Sequence, residues 1–201
     1  ANPALEALRQ KGAKVTSEME VFFELCPCRI LGVTGSDGKT TTTTMISEFL
    51  KAAGKTVWLG GNIGTPLLSR IPEMHGEDFA VVELSSFQLM DMKRSPGIAV
   101  VTNLAPNHLD VHKDMAEYID AKKNIFRHQG PEDLLILNAD NAITREFRGN
   151  GRTEFFSRRA ETNGAWADED WIYRHGQRLI AKKDILLPGE HNVENYMAAI
   201  L

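Results

Sequence analysis

The stretch Arg29-Ile30-Leu31-Gly32-Val33-Thr34-Gly35-Ser36-Asp37-Gly38-Lys39-Thr40-Thr41 joins a short apolar run to a Gly-Lys-Thr turn that opens a helical segment. Glycine tolerates the backbone angles that aim successive amides into one concavity, and the start of the following helix adds its positive dipole end. Such a loop suits a polyphosphate: Lys39 would reach the β- and γ-phosphates and the Thr40 hydroxyl would help hold Mg²⁺. The usual pattern carries a glycine where Val33 stands, so this is a shorter form of the loop. Asp37 is a second departure, because a carboxylate beside phosphates repels them unless it faces metal or solvent. The alternative is a turn in which Gly, Lys and Thr only cap a helix.

Outward from this stretch, β-rich runs alternate with helical ones. Arg29-Thr34, Thr56-Leu59, Phe79-Leu84, Ile98-Asn103 and Leu134-Asn138 read as strands, the first four as nearly continuous apolar runs of the kind buried on both faces. Thr40 to Ala53 and Asp114 to Gln129 read as helices, the second opened by Asp114-x-x-Glu117 and closed by Gly130-Pro131. The expected fold class is α/β, a mostly parallel sheet with helices on both faces and a P-loop-type ATPase topology. Thr153-Ser157 and Trp166-Ile180 alternate apolar and polar residues like hairpin strands, which predicts a smaller antiparallel edge region. Glu190 to Leu201 reads as a helix without a stop signal, so a continuing chain is expected. Residues 1–28 hold a helix-like Pro3-Lys11, a short Ala13-Val15 strand and an amphipathic piece at Val21-Leu25, none of which closes a core alone.

Composition narrows the partners. With 201 residues, 42% hydrophobic and 25% charged, the chain has the make-up of a globular domain, and no stretch approaches the ~20 apolar residues that span a bilayer. A net charge of −4, from 23 basic and 27 acidic side chains, argues against nucleic acid as a partner. Cys26 and Cys28 lack the second Cys or His pair of a structural zinc site and read as free thiols. Ala1-Gln10 has neither half of a secretory signal, so a reducing cytoplasm is the expected location.

Other candidate residues lie at the carboxyl ends of the strands, where open α/β sheets bind ligands. Glu83 ends an apolar strand and either holds Mg²⁺ or is the first solvated residue after it; Ser85-Ser86 beside it suggests a polar pocket. Asn103, Asn107, His108, Asp110 and His112 crowd the next loop, where His108 is either a metal or phosphate ligand or a solvated side chain. Met115, Tyr118, Ile119, Ile125 and Phe126 form a helical stripe that includes Lys122 and leaves out Lys123. A lysine facing inward either snorkels to the surface or is desolvated, which lowers its pKa and leaves a reactive amine.

Taken together, the motifs resemble the Mur ligases, ATP-dependent amide-forming enzymes of bacterial cell-wall precursor synthesis. Thr34-Gly35-Ser36-Asp37-Gly38-Lys39-Thr40-Thr41 looks like their phosphate loop, with Asp37 in place of a commoner asparagine. Asn107-His108-Leu109-Asp110 with Tyr118-x-x-Ala121-Lys122 is similar to their central signature, and Gly189-Glu190-His191-Asn192-x-x-Asn195 to a later one. The resemblance spans Arg29 to Leu201. Gly60-Gly61-Asn62-Ile63-Gly64 and Glu83-Leu84-Ser85-Ser86-Phe87-Gln88-Leu89 look most like the branch that adds D-glutamate to UDP-N-acetylmuramoyl-L-alanine.

The resemblance implies that Gly35 to Thr41 bind ATP, that Thr40 and Glu83 hold one Mg²⁺, and that His108 and a carbamylated Lys122 hold a second. Asn62 and Ser85 would meet the muramoyl substrate, and Asn192 and Asn195 would lie near the adenine. Only a neutral amine attacks carbon dioxide, so carbamylation agrees with an inward-facing Lys122. The resemblance further implies a monomer of three domains, with residues 1–28 ending the uridine-nucleotide domain, residues 29–201 forming the ATP-binding one, and weak ATP binding without ligation by this piece. Competing readings are a folylpolyglutamate-like ligase, a P-loop small-molecule kinase and an inert nucleotide-binding module.

Overall fold

In a computed structural model of the chain, residues 3–13, 15–105 and 114–201 are described. Among these residues nine strands form one sheet: β1 (Arg29–Thr34), β2 (Val57–Gly61), β3 (Phe79–Glu83), β4 (Ile98–Val101), β5 (Leu134–Asn138), β6 (Arg152–Ser157), β7 (Ala165–Ala167), β8 (Trp171–Arg174) and β9 (Gln177–Ala181). Their spatial order is β2-β3-β1-β4-β5-β6-β7-β8-β9. The first seven run parallel to their neighbours, and β8 and β9 continue antiparallel from β7. The expected α/β class and antiparallel edge are therefore present. One expectation is corrected: Arg152–Ser157 is not a hairpin strand but pairs parallel with both β5 and β7. Its alternating pattern arises because buried Glu154, Phe156 and Ser157 are interleaved with half-exposed neighbours, and alternation reports burial, not strand direction.

Among the described residues there are six α-helices, α1 (Pro3–Gln10), α2 (Glu18–Leu25), α3 (Lys39–Ala52), α4 (Ser86–Leu89), α5 (Met115–Arg127) and α6 (Glu190–Ile200), and all but α1, whose described side chains are exposed, contribute to the cores on the two faces of the sheet. Because side chains alternate across a strand, Ile30, Ala80, Val82, Ala99 and Val101 pack on one face with α2, α4 and α5. Leu31, Val33, Val81 and Val100 pack on the other with Ile46 of α3 and Val193 and Met197 of α6. The two-sided burial explains the unbroken apolar runs of β1, β3 and β4, whereas β2, at the sheet edge, is mostly half-buried.

Residues 13 and 15 do not form the expected strand. Both are exposed, so no apolar face holds them to a sheet. The expected amphipathic piece at Val21–Leu25 is the helix α2. Ser17 caps it, its side chain accepting the Glu20 amide at 3.1 Å. Phe22, 1% exposed, and Phe23 enter the same core as β1 and α5. Phe22→Ala is expected to destabilise the chain by about 3–5 kcal/mol, measurable by urea unfolding; a loss under ~1 kcal/mol would mean that α2 does not belong to this core.

Candidate active site

Strand β1 lies between β3 and β4, so the chain reverses direction across the sheet there, and the carboxyl ends of β1, β3 and β4 open into one crevice. The loop after β1 sits at that point. Gly38 is the N-cap of α3 in a left-handed conformation, φ 77°, and no side chain caps the helix. A Cβ at Gly38 would also displace the Asn195 side chain of α6, but it is the backbone angle that demands glycine. Helix α3 therefore presents uncapped amides to the crevice, a place suited to anions.

The first half of the loop is held by the neighbouring strand end. Ser36 donates its amide to Asn103 O at 2.9 Å, Asp37 donates its amide to Asn103 Oδ1 at 3.0 Å, and the Thr102 hydroxyl donates to Asp37 O at 2.6 Å. The Asp37 side chain is exposed, so its carboxylate does not crowd the loop interior. Ser36 Oγ is occupied by the Ala105 amide at 2.9 Å and the Tyr118 hydroxyl at 3.0 Å. Its side chain supports the loop, and Lys39 and Thr40 follow at the start of α3.

Lys39 Nζ folds back over the loop to Gly35 O at 3.0 Å and Ser36 O at 2.8 Å. Thr40 Oγ1 donates to Glu83 Oε2 at 2.7 Å, and Asn62 Nδ2 donates to Glu83 Oε1 at 3.1 Å. Glu83 is 2% exposed, not a solvated strand end, and its hydrogen-bond donors among the described residues are neutral. A buried carboxylate without a cation is costly. Mg²⁺ takes one or two carboxylates or hydroxyls and keeps its other positions for water and phosphate oxygens, so the Thr40–Glu83 pair fits it. No cluster of three His, Cys, Asp or Glu able to hold a metal occurs among the described residues. His108, with Asn107, Asp110 and His112, lies outside them.

Lys122 does not snorkel. It is 2% exposed, with Nζ 3.1 Å from Thr34 Oγ1 and 2.9 Å from Gly35 O, above the Tyr118 ring at 4.9 Å. Burial, then the nearby Lys39 charge, lowers its pKa from the usual lysine range to about 7, with Glu83 opposing. The amine is thus largely deprotonated slightly above neutrality, inside the same crevice as Lys39 and Glu83.

A cavity of about 130 Å³ beside Gly38 is lined by Asp37, Asn103, Phe156, His191, Glu194 and Asn195, among others. Asn195 lines it. Asn192 instead braces Asn195, accepting its amide at 3.1 Å while donating to Pro188 O. The later motif includes His191 without assigning it a role and passes over Glu194, although positions 191, 194 and 195 share a helical face. Glu194 is fixed by Arg158 at 2.7 Å and Asn138 at 3.2 Å. On the other side, Asn62 lines a second cavity of about 450 Å³ with Ser17, Met19, Ile63 and Gln88. Ser85 caps α4 in a capping box with Gln88, so its hydroxyl is engaged in structure. The Ser-x-x-Gln spacing is a signal for that role.

The family model for the Mur ligase middle domain matches residues 33–201. The chain belongs to the Mur ligase family. Curated relatives named UDP-N-acetylmuramoylalanine–D-glutamate ligase include those of Acetivibrio thermocellus, 55% identical, and Clostridium novyi, 54% identical, each covered over 98% of this chain. This Mur ligase segment spans 44% of the length of those relatives. Among solved structures, the UDP-N-acetylmuramate:L-alanyl-gamma-D-glutamyl-meso-diaminopimelate ligase of Neisseria meningitides superposes with a TM-score of 0.70 at 25% identity, covering 98% of this chain and 68% of that one. A Thermotoga maritima MurF ligase in complex with ADP shares the fold, with a TM-score of 0.67 at 21% identity, covering 94% and 49%.

Proposed function

We propose that this Mur ligase segment is the ATP-binding part of an enzyme that joins D-glutamate to UDP-N-acetylmuramoyl-L-alanine in peptidoglycan precursor synthesis. The observation that carries this reading is the convergence of a buried, readily deprotonated Lys122, the Lys39 ammonium and the Thr40–Glu83 pair around one phosphate loop. A simple kinase needs the loop and an acid but has no use for a buried neutral amine. The names of the relatives at 54–55% identity support D-glutamate as the amino acid.

In this reading the substrate's terminal carboxylate attacks the γ-phosphate of ATP, and the amine of D-glutamate captures the acyl phosphate, releasing phosphate as the amide forms. Two anions must approach, and the chain's own groups lower that barrier. Lys39 leaves the loop carbonyls for the β- and γ-phosphates, and the uncapped amides of α3 receive the remaining oxygens. Thr40 and Glu83 would hold Mg²⁺, which supplies charge neutralisation to the phosphoryl group. Lys122, once carbamylated, presents a carboxylate that, with His108, would hold a second ion. Asn62 bridges the Glu83 carboxylate and the larger cavity and would orient the muramoyl substrate there; Asn195, braced by Asn192, borders the cavity proposed for the adenine. The location proposed is the cytoplasm, with no nucleic-acid or membrane partner; no helix among the described residues is long and apolar enough to cross a membrane.

Residues 29–201 would be the ATP-binding unit, and residues 1–28 would lead into it from a uridine-nucleotide unit, with α2 already seated on the ATP-binding core. The full-length protein, given UDP-N-acetylmuramoyl-L-alanine, D-glutamate and MgATP, is expected to release one phosphate per amide formed. The 201-residue segment alone is expected to bind ATP weakly without ligating. A phosphorylated hydroxyl product without phosphate release would overturn the ligase reading in favour of a kinase.

A further inference from the structure

Outside the crevice, the connection from α2 to β1 brings two sulfurs together. Cys26 is the C-cap of α2, with extended backbone at φ −63° and ψ 121°. Pro27 follows, and the Cys28 Sγ lies 3.3 Å from the Cys26 Sγ. Cys26 is half-buried and Cys28 is buried. Cys28 belongs to the core and Cys26 packs against it, which accounts for their burial but not for the contact between their sulfurs: no third metal-ligating side chain joins them among the described residues, and a bond across so short a loop would remove little chain entropy. What the pair can do is chemical. A disulfide needs the sulfurs roughly 1 Å closer, within reach of small rotations about the two Cα–Cβ bonds.

We propose that Cys26 and Cys28 are a redox-active dithiol, closed to an intramolecular disulfide by small-molecule disulfides and reopened by thiols. The roles follow from burial. Cys26 is the accessible sulfur and attacks first: its thiolate forms a mixed disulfide with one sulfur of the oxidant and displaces the other as thiolate. Cys28, its proton passing to water, then attacks the Cys26 sulfur and displaces the second thiolate, so two protein thiols are oxidised as one reagent disulfide is reduced. Burial, its contact with Cys26 and the charge of Asp78 push the Cys28 thiol up to about 12, which disfavours it as the entering sulfur; the share due to Cys26 is gone once Cys26 is held in the mixed disulfide. The ring formed is small and strained, the kind that reducing thiols reopen readily. This inference is independent of the ligase reading.

The test uses the folded 201-residue chain incubated with oxidised glutathione, quenched with N-ethylmaleimide and read by intact mass and peptide mapping, with the peptide Leu25–Arg29 as a control for the reagent. The expected product lacks the mass of two hydrogens, protects both cysteines from alkylation and reverts with dithiothreitol, whereas C28S stops at a glutathione adduct on Cys26 and C26S reacts slowly or not at all. Because C28S alters a buried site, C26S at the half-buried position is the second variant, and circular dichroism checks that both fold. A persistent glutathione adduct on the unsubstituted chain, or two free thiols under conditions that close the control peptide, would overturn the proposal.

Discussion

Lys39→Ala in the full-length protein that carries this segment lowers kcat/KM for ATP-dependent amide formation by about 10²–10³-fold, the usual consequence of removing one preorganised charge from a phosphoryl-transfer site. The side chain gives up only two hydrogen bonds to its own loop, Gly35 O and Ser36 O, and Gly35 O keeps its bond from Lys122. The fold should therefore survive, with the circular dichroism spectrum unchanged. Lys39→Arg is expected to recover little, because a planar guanidinium cannot replace a compact ammonium folded over the loop. Steady-state kinetics with ATP as the varied substrate separates the outcomes: a rate within threefold of the unsubstituted enzyme would remove Lys39 from the mechanism.

The second large effect runs in two directions at once. Lys122→Met keeps the length and apolar stem while deleting the amine, and it is expected to abolish ligation while stabilising the fold below neutral pH. The sign follows from the lowered pKa. Lys122 is protonated in the unfolded chain up to about pH 10 but loses its proton in the folded chain near 7. Between those values the unfolded state holds more protons, so folding stability rises with pH, and below about 7 the full cost of burying an ammonium is felt. The Met variant escapes that cost, on the order of a few kcal/mol, and its advantage should shrink as pH climbs from 7 towards 10. Thermal melts of both chains at pH 6 and pH 9.5 check it. Equal melting temperatures at pH 6 would show that the amine is not desolvated, and retained ligation would show that it is not needed.

These two lysines also mark how far the sequence could be read. Lys39 was legible because a Gly-x-x-Gly-Lys-Thr turn between an apolar run and a helix leaves few other uses for that ammonium. Lys122 was half legible: helical spacing placed it on the inward face, but whether the stem reached back to water depended on what lay above it. That proved to be Thr34 and Gly35, 88 and 87 residues away in the chain. The same non-locality hid the parallel pairing of β6, the bracing of the loop by Asn103 and Thr102, and the cavity face of α6, where His191 and Glu194 lie beside the expected Asn195. Short-range signals fared better. The Asp114 cap of α5 was read from spacing alone and is present, Asp114 Oδ1 accepting the Glu117 amide at 2.9 Å. The Ser85–Gln88 box carries a comparable signal, but the Ser85-Ser86 pair also reads as a polar pocket, and only the fold shows which of the two Ser85 serves.

The claim on which the account depends is that a nucleoside triphosphate settles on the uncapped start of α3 between β1 and Glu83. Amide hydrogen exchange of the 201-residue chain, with and without saturating MgATP, reads that place directly. Slowed exchange across Gly35–Thr41 and little change in β8 and β9 are expected, with the protection lost in Lys39→Ala. Unchanged exchange across Gly35–Thr41 while nucleotide protects another surface would contradict it.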